Sequence, residues 1–537
     1  MLRCMRVVLA LTFLAASTLA AAEASAQTLA AGGPSDAFAF TTHATGLGQL
    51  TDFRFLPDGR VVLVSKTGEV RIRRGDGTVV LAGSFPVDTE SEKGLLGVEV
   101  HPSFATNRTL FFYYSRSDAT GGTDLDRHRI VSLALAADDK IDVTKETILV
   151  RGLRGPANHD GGALALSKDG TKLFIGVGDT GCNSGKAPEP TYTPTNFFPT
   201  CLTNGSGKVL RVNLDGTIPS DNPLVGVAAV TACGATCGAN ISATGTAAPR
   251  TDIWAWGFRN PFRLWTDPVS GNLWVGDVGE VTYEELSIVQ KGRHHGWPWR
   301  EGAHGWPVTK CNDVTPKGDC LDPVHEQVHT PTVKSITGGA IVDHCSWPAA
   351  YRGLYYFGDN ATNQLWTVQP NGARDGVVAG SQKDFGTVGA PVSIRPGPDG
   401  ALYVASLGGR LIRFAPKSPV PCDADAGVPD GGAPDTGVAD TGAAPVDSGS
   451  SAADSGSVAA DSGTSVGDTG ASAPDAGTTD AIASDAGGSD ATASDAGVRD
   501  ANVADDAGAG DGDGSADDGS CGCTTPGRAP SGGLAAL

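Results

Sequence analysis

Two polar residues bracket the segment NHDGGALALSKDGTKLFIGVGD, which runs from Asn158 to Asp179. His159 stands near its start and Asp179 closes it. Between them, apolar residues alternate with small ones around Lys168-Asp169-Gly170, the pattern of two strands joined by a tight turn. Residues on the two arms of a hairpin face one another in a fixed register. A turn centred on Asp169 sets His159 opposite Asp179 at the hairpin's open end. A carboxylate there would hold the imidazole in one tautomer and raise its affinity for a proton. That is how a general base is built. The same pair would also serve simply to tie down a loop.

A second segment, GFRNPFRLWTDPVSGNLWVGDVGEVTYEE, spans Gly257–Glu285. Arg259 and Asn260 put a cation and an amide beside a bend fixed by Pro261. The pair suits an oxygen that gains negative charge during a reaction. It would equally suit an arginine that bonds carbonyls between packed sheets. Further on, Gly276-Asp277-Val278-Gly279-Glu280 reads as a tight loop with exposed carbonyls. Such oxygens can hold Ca²⁺, a hard cation, or belong to an ordinary turn.

The elements that must position these residues are strands. From Phe38 to Lys417 the chain is a series of short Val-, Ile-, Leu-, Phe- and Tyr-rich runs separated by Gly, Asp and Pro. No long amphipathic helix interrupts them. A weak internal repeat narrows the architecture. FRFLPDGRVVLVSKTGEVRIRR (Phe53–Arg74) and SIRPGPDGALYVASLGGRLIRFA (Ser393–Ala415) share one phrase: strand, PDG turn, strand, glycine turn, strand. Variants lie between them. Each is one blade of a propeller, and six are expected, at Gly48–Gly83, Gly94–Leu153, Asn158–Asn222, Asp252–Gly292, Ile336–Gly380 and Pro391–Lys417. The fold class is therefore all-β, a six-bladed β-propeller over 38–417, followed by a long disordered acidic tail.

The ends of the chain differ in composition from this centre. Residues 1–26 read as a signal peptide: Arg3 and Arg6, an apolar run Val7–Leu14, then small residues ending Ala24-Ser25-Ala26. Export to the periplasm, the medium or the cell surface is expected. From Cys422 to Ser520 the sequence holds no aromatic residue, and aspartates recur every five or seven positions. It cannot bury enough apolar surface to offset the entropy of ordering, so disorder is expected. Between Asp423 and Asp518 there are 21 acids and one base, Arg499, a balance equal to the formal net charge of −20 for the whole chain. The propeller is thus close to neutral, and no basic patch in the sequence argues for nucleic acid. A last segment, 521–537, opens Cys521-Gly522-Cys523-Thr524 and resembles the start of cysteine-bearing sorting tails, without the apolar span and basic stop that should follow, so surface attachment through the tail is an open reading that the sequence does not support further. An oxidising compartment favours disulfides. Cys182/Cys201, Cys233/Cys237, Cys311/Cys320 and Cys345/Cys422 are the expected pairs.

Several motifs in a fixed order carry a resemblance: GLLGVEVHPSF (Gly94–Phe104), NHDGGALALSKDG followed by FIGVGDTG, GKVLRVNLDGTIPSDNP (Gly207–Pro223), GFRNPFRL, GDVGEVTYEEL and HHGWP (His294–Pro298). In these the chain resembles the glucose/sorbosone dehydrogenase family, which includes aldose sugar dehydrogenases that use pyrroloquinoline quinone (PQQ). The resemblance implies a six-bladed propeller in which His159 takes the proton of a sugar's anomeric hydroxyl. It implies that Asp179 orients that histidine, and that Arg259, with Asn260 beside it, stabilises the quinone oxygen. The carbonyls of Gly279 and Glu280 fall where the family holds Ca²⁺, and Glu285 falls near a second, structural Ca²⁺. A sugar and an external electron acceptor are the implied partners.

There are departures. Glu92 stands where members often carry Gln. The late bases that grip the cofactor's carboxylates are replaced by Ala361, Ala390 and Val392, leaving Arg395 as the nearest candidate. Those stretches are closer to members related to the hedgehog-interacting proteins. The expected function is a PQQ- and Ca²⁺-dependent sugar dehydrogenase that converts an aldose to its lactone. The alternative is a non-catalytic surface propeller that binds a glycan or a protein.

Overall fold

A computed structural model describes residues 27–155, 158–181, 196–233, 245–305, 320–329 and 335–422. They all fall in one of the two units into which the chain divides. The expected signal peptide, the acidic tail and the final cysteine-bearing segment lie outside the described residues.

Six sheets carry the fold, each antiparallel from strand to strand. Blade 1 comprises Leu50–Phe55, Val61–Ser65, Glu69–Arg73 and Val79–Ser84. Blade 2 comprises Leu95–Val100, Thr109–Ser115, His128–Ala134 and Thr147–Leu153. Blade 3 comprises Ala163–Leu166, Lys172–Val177, Lys208–Asn213 and Ile253–Trp256. Blade 4 comprises Pro261–Thr266, Leu273–Asp277, Tyr283–Ile288 and His325–Val328. Blade 5 comprises Ile336–Ile341, Tyr355–Asp359, Gln364–Val368 and Lys383–Thr387, with Thr28–Leu29 added at its edge. Blade 6 comprises Pro391–Pro396, Leu402–Ser406, Arg410–Pro416 and Phe38–Ala44. The first strand of each blade touches the first strands of its two neighbours, and that of blade 6 touches that of blade 1. The ring closes and its centre is a channel.

The expected blade boundaries need correction at their outer strands. Ile253–Trp256 completes blade 3 from beyond Asn222, His325–Val328 completes blade 4 from beyond Gly292, and Lys383–Thr387 completes blade 5 from beyond Gly380. In blade 6 the outer strand is the N-terminal Phe38–Ala44, paired with Arg410–Pro416. An outer strand needs only an edge to pair with, so a long insertion can precede it. In blades 1 and 6 the first three strands follow one another through tight turns, and this keeps the repeat legible. Closing the last blade with the N-terminal strand ties the two ends of the ring by main-chain bonds.

Every blade is packed on both faces, and this explains why its inner strands are apolar at nearly every position. In Val61–Ser65, Val61 and Leu63 join the core shared with blades 4, 5 and 6, while Val62 and Val64 join the core shared with blade 2. Side chains alternate across a strand, so a run of four apolar residues feeds two cores.

The turns repeat as well. In blade 1, Leu56 N–H donates to the Arg60 carbonyl at 2.8 Å, and Gly59 N–H to the Leu56 carbonyl at 2.9 Å. In blade 6, Gly397 N–H donates to Ala401 at 2.8 Å, and Gly400 N–H to Gly397 at 3.0 Å. Gly59 and Gly400 have φ of 82° and 74°, conformations that a side chain disfavours. Blade 3 departs by one residue. Thr171 follows its Lys168-Asp169-Gly170 turn, and the closing bond runs from Ser167 N–H to the Lys172 carbonyl at 2.9 Å. The pairs are Leu166↔Leu173 through Ala163↔Gly176, a register one residue away from a turn centred on Asp169. The expected register is therefore corrected, with the inserted threonine as its cause.

Two described disulfides differ in how they meet expectation. Cys345–Cys422 pairs as expected, with Cα atoms 5.3 Å apart. Cys201 bonds Cys233, with Cα atoms 6.1 Å apart, which rules out both Cys182/Cys201 and Cys233/Cys237. The fold brings the loop after blade 3's second strand beside the insertion before its fourth, a neighbourhood that sequence spacing conceals. Cys320 is also disulfide-bonded. Cys182, Cys237 and Cys311 lie outside the described residues. Among the described residues, no helix is long and apolar enough to cross a membrane.

Candidate active site

His159, Asp179, Arg259, Asn260 and Glu92 gather at one end of the channel. His159 and Asp160 precede the first strand of blade 3, and Asp179 follows its second strand. Arg259 and Asn260 precede blade 4, and Glu92 precedes blade 2. In an antiparallel blade, the start of the first strand and the end of the second lie at the same edge. Hairpins of the same direction thus deliver residues distant in sequence to one rim.

His159 Nδ1 and Asp179 Oδ1 are 2.6 Å apart. They meet although the ladder register runs one residue off. Past Ala163, the chain leaves the ladder through left-handed backbone at Gly162 (φ 103°), Gly161 (φ 66°) and His159 itself (φ 53°). A non-glycine residue in that region is strained, and such strain concentrates at functional sites. Gly178 gives the histidine its room: a Cβ there would lie 1.8 Å from the His159 carbonyl oxygen.

Asp179 is held from several sides. Its Oδ2 accepts the indole N–H of Trp297 at 2.7 Å, its Oδ1 also accepts the Gly181 N–H at 2.8 Å, and its own N–H donates to the Arg259 carbonyl at 2.8 Å. Burial pushes this carboxyl upward, but the facing imidazole of His159, its hydrogen bond and the Arg259 charge outweigh burial and hold it below the usual range. A carboxylate only accepts hydrogen bonds, so the shared proton sits on His159 Nδ1. In the neutral imidazole Nε2 then carries the lone pair, and it has no hydrogen-bond partner among the described residues. The His159 side chain is 11 % exposed, against 1 % for Asp179.

Arg259 lies beside this pair. One guanidinium nitrogen donates to the Val278 carbonyl at 3.0 Å, Nε faces Glu280 at 3.6 Å, and the cation sits 5.7 Å from the centre of the Trp297 ring. Asp277 fixes the bend from below by accepting the main-chain N–H of Arg259 at 3.0 Å and of Asn260 at 2.6 Å. Burial, with the Asp179 charge adding to it, pushes the Asp277 carboxyl up to about 7 despite those two bonds. The buried Asn260 amide joins three blades: Oδ1 accepts the Gly161 N–H at 3.0 Å, and Nδ2 donates to Glu92 at 3.2 Å. Glu92 also accepts the Asp160 N–H at 3.3 Å, and burial pushes its carboxyl above the usual range.

A model of the family described as Glucose / Sorbosone dehydrogenase matches residues 47–413 of this chain. The chain belongs to the glucose/sorbosone dehydrogenase family. Among curated proteins it is 27 % identical over 380 residues to the aldose sugar dehydrogenase YliI of Escherichia coli, covering 68 % of this chain and 89 % of that one. It is also 27 % identical over 258 residues to quinoprotein glucose dehydrogenase B of Acinetobacter calcoaceticus, covering 45 % of this chain and 48 % of that one. The PQQ-bound aldose sugar dehydrogenase of Streptomyces coelicolor has a similar fold, with a TM-score of 0.51, 20 % identity, and coverage of 73 % of this chain and all of that one.

The loop in which the family resemblance places Ca²⁺ is built on acids. Glu301 Oε1 accepts the consecutive N–H groups of Glu280, Val281, Thr282 and Tyr283 at 2.7 to 3.2 Å. This turns the loop's amides inward. The carbonyls of Gly279 and Glu280 accept no hydrogen bond among the described residues. Glu285 lies opposite Asp277 in the strand ladder and accepts the Gly302 N–H at 2.5 Å. Burial and the neighbouring carboxyls of Asp277, Glu301 and Glu284 push its own carboxyl well above the usual range.

Arg395 is not brought to this rim. It is the fifth residue of Pro391–Pro396, whereas Val392, the second, reaches the cavity at the site end. Three residues of strand place it roughly 10 Å further down the channel. There it donates to the Leu264 carbonyl at 3.2 Å. Arg54 fills the same depth, bonded to Asp52 at 2.7 Å and Glu99 at 2.9 Å. The channel's far half is thus closed by side chains. At the near end a small cavity remains, with Asp160 and Gly161, the residues after His159, in its wall.

Trp297, Asp277 and Asp160 were not among the candidates read from sequence. Trp297 stands in the HHGWP motif, which was recognised as a phrase without a role. Asp277 is one residue of a loop read for its carbonyls.

Proposed function

We propose that the protein is an exported, PQQ- and Ca²⁺-dependent aldose sugar dehydrogenase that oxidises the anomeric hydroxyl of a sugar to a lactone. Membership of the family supports the reaction class. The observation that carries the reading is the His159–Asp179 contact at 2.6 Å, with Trp297 on the carboxylate's other oxygen.

The residues present fit such a group. Arg259 is nearly buried beside the His159–Asp179 pair, and its Nε makes no hydrogen bond among the described residues beyond the ion pair with Glu280 at 3.6 Å. The unpaired carbonyls of Gly279 and Glu280 offer the hard oxygens that Ca²⁺ prefers. Glu285, with the unpartnered Oε2 of Glu301 nearby in the acid cluster, would hold the second cation. When bound, the quinone supplies the two-electron acceptor for the C1 hydride. His159 takes the hydroxyl proton on Nε2 as the hydride leaves. Asp179 keeps Nδ1 protonated and stabilises the imidazolium that results. Arg259 neutralises charge that develops on an adjacent oxygen. An external acceptor completes the turnover, and the acidic tail would hold the domain off a cell surface.

The test is reconstitution of the purified protein with PQQ and Ca²⁺, followed by dye reduction with a panel of aldoses. Activity is expected, and His159→Ala is expected to abolish it while the melting temperature stays near that of wild type. Activity that survives the substitution would remove His159 as the base.

A further inference from the structure

His159 has left-handed backbone, with φ of 53°, and its surroundings must hold it there. Asp179 holds its imidazole from blade 3. The next residue, Asp160, is buried and is held in turn by blade 2 and the loop before it. Its N–H donates to Glu92 at 3.3 Å, its carbonyl accepts the Tyr113 hydroxyl at 2.8 Å, and its Oδ1 lies 2.9 Å from His128 Nε2.

The His128 contact continues further. Ser115 Oγ lies 3.1 Å from His128 Nδ1 and accepts the Gly94 N–H at 3.1 Å. A carboxylate only accepts, so in the neutral imidazole Nε2–H donates to Asp160 and Nδ1 takes the Ser115 hydroxyl. Gly94, Ser115 and His128 then each donate to the next residue in the chain, which ends on Asp160. Asp160 returns its own N–H to Glu92, two residues before Gly94. The bonds close a circuit between the loop that carries the base and the loop that opens blade 2. The two blades also approach closely there: a Cβ at Gly97 would lie 2.1 Å from the Gly162 carbonyl oxygen.

Packing alone does not call for an acid at this place. Asp160 Oδ2 is buried and has no hydrogen-bond partner among the described residues, so the side chain's grip rests on one oxygen. Apolar side chains of the same volume often replace a buried acid and its partner without loss of stability. What the acid and the imidazole add is direction. Their bond admits one arrangement of His128 and Asp160, and with it one path for the main chain at His159.

We propose that Asp160, oriented by His128, is a positioning residue that fixes the left-handed backbone of His159 and so keeps the imidazole on Asp179. Asp179 sets the ring, and Asp160 sets the main chain that carries it. The inference rests on the dehydrogenase reading above for the role of His159 as the base.

The test has two readouts on the full protein. One is steady-state dye reduction after loading with PQQ and Ca²⁺. The other needs no turnover: the Cε1–H resonance of His159 in protein carrying carbon-13 histidine, assigned by its loss in His159→Ala. Asp160→Ala is expected to lower kcat by about ten- to a hundredfold, as the strained backbone relaxes, while KM stays within about threefold. The His159 resonance should move toward its position in Asp179→Ala. Asp160→Asn keeps an acceptor for the His128 N–H and should recover most of the change in both readouts. Tyr113→Phe removes the hydroxyl from the Asp160 carbonyl; should Asp160→Ala fail to fold, it serves in its place and should shift the resonance in the same direction. A lower melting temperature with kcat and the His159 resonance unchanged reduces the circuit to stability, and overturns the proposal while leaving the proposed function standing. An Asp160→Asn variant as impaired as Asp160→Ala also overturns it, since charge and not anchorage is then what matters. A resonance that moves as expected in a protein that reduces no dye with any aldose supports the positioning role and removes the dehydrogenase reading.

Discussion

Trp297 Nε1 lies 2.7 Å from Asp179 Oδ2, the carboxylate oxygen that His159 does not use. The indole ring also lies under the Arg259 cation, 5.7 Å from ring centre to guanidinium carbon. One side chain therefore braces both the partner of the base and the cation opposite it. Trp297→Phe keeps most of the ring and deletes the N–H. A hydrogen bond to a charged group contributes about 1.5–3 kcal/mol, so the rate should fall by roughly ten- to a hundredfold. The Asp179 carboxyl loses a donor to its charged form, so it should take up its proton at a higher pH, and the acid limb of kcat/KM should move up with it. A variant with unchanged rate and pH profile would reduce Trp297 to packing.

Asp179→Asn tests the tautomer. An asparagine amide can donate to Nδ1, which moves the imidazole proton to Nε2 and removes the lone pair the reaction needs. Loss on the order of 10³–10⁴ in kcat is expected, the size seen where an acid-to-amide change misplaces a catalytic histidine's proton. Dye reduction measures it, and binding of PQQ should change far less.

Gly178→Ala probes the room made for His159. The added Cβ would stand 1.8 Å from the His159 carbonyl oxygen and 3.0 Å from Asn260 Oδ1, so the backbone must shift. Destabilisation of more than about 2 kcal/mol is expected, together with loss of activity beyond what the unfolded fraction explains. Thermal melting and assays well below the transition separate the two effects.

Asp277 predicts a pH dependence of stability. Its carboxyl is raised in the folded protein from 3.8 to about 7. Between about pH 4 and 7 the folded state keeps this proton while the unfolded state releases it, so folding takes up a proton. The group's contribution is therefore full at low pH, declines as pH rises through this window, and levels off above about 7. In chelator, the melting temperature of wild type should drop more from pH 5 to pH 8 than that of Asp277→Asn. Added Ca²⁺ should flatten the wild-type decline if a cation replaces the proton in the acid cluster. Equal slopes for the two proteins would remove Asp277 as the titrating group.

The architecture could be read from the chain because in blades 1 and 6 the first three strands follow one another through short turns and repeat a phrase, variants of which lie between them. Outer strands were hidden because they need only an edge, which the N-terminal Phe38–Ala44 supplies as well as a neighbour in sequence would. The His159–Asp179 pair was legible as two ends of one hairpin, though Thr171 shifts the ladder by a residue and left-handed backbone absorbs the shift. Trp297 was not legible in its role: it reaches Asp179 from 118 residues away, and nothing in its local sequence marks the contact. Arg395 misled because its position in the sequence places it on the correct strand but not at the correct depth. The cysteines misled because proximity in sequence stood in for proximity in space, which Cys201–Cys233 refutes.

Glu92 offers the sharpest separation of charge from shape. Its Oε2 accepts two hydrogen bonds, from Asn260 Nδ2 and from the Asp160 N–H, and the residue borders the cavity. Burial, with the Asp160 charge adding to it, raises its carboxyl above the usual range. A protonated Glu92 keeps one oxygen as an acceptor and presents an O–H on the other. Glutamine has the same acceptor and presents an N–H instead. Glu92→Gln should therefore keep most of the activity and the binding of PQQ. Glu92→Ala should lose at least about tenfold, because it leaves the buried Asn260 and Asp160 donors unpaired. The sign with pH follows from the raised value. As pH rises the acid ionises, placing a negative charge against the anionic ligand, so wild type should bind more weakly at the alkaline end while Glu92→Gln does not. Should Glu92→Gln fail as badly as Glu92→Ala at every pH, the carboxylate charge itself is required, and a cation rather than a proton must sit beside it.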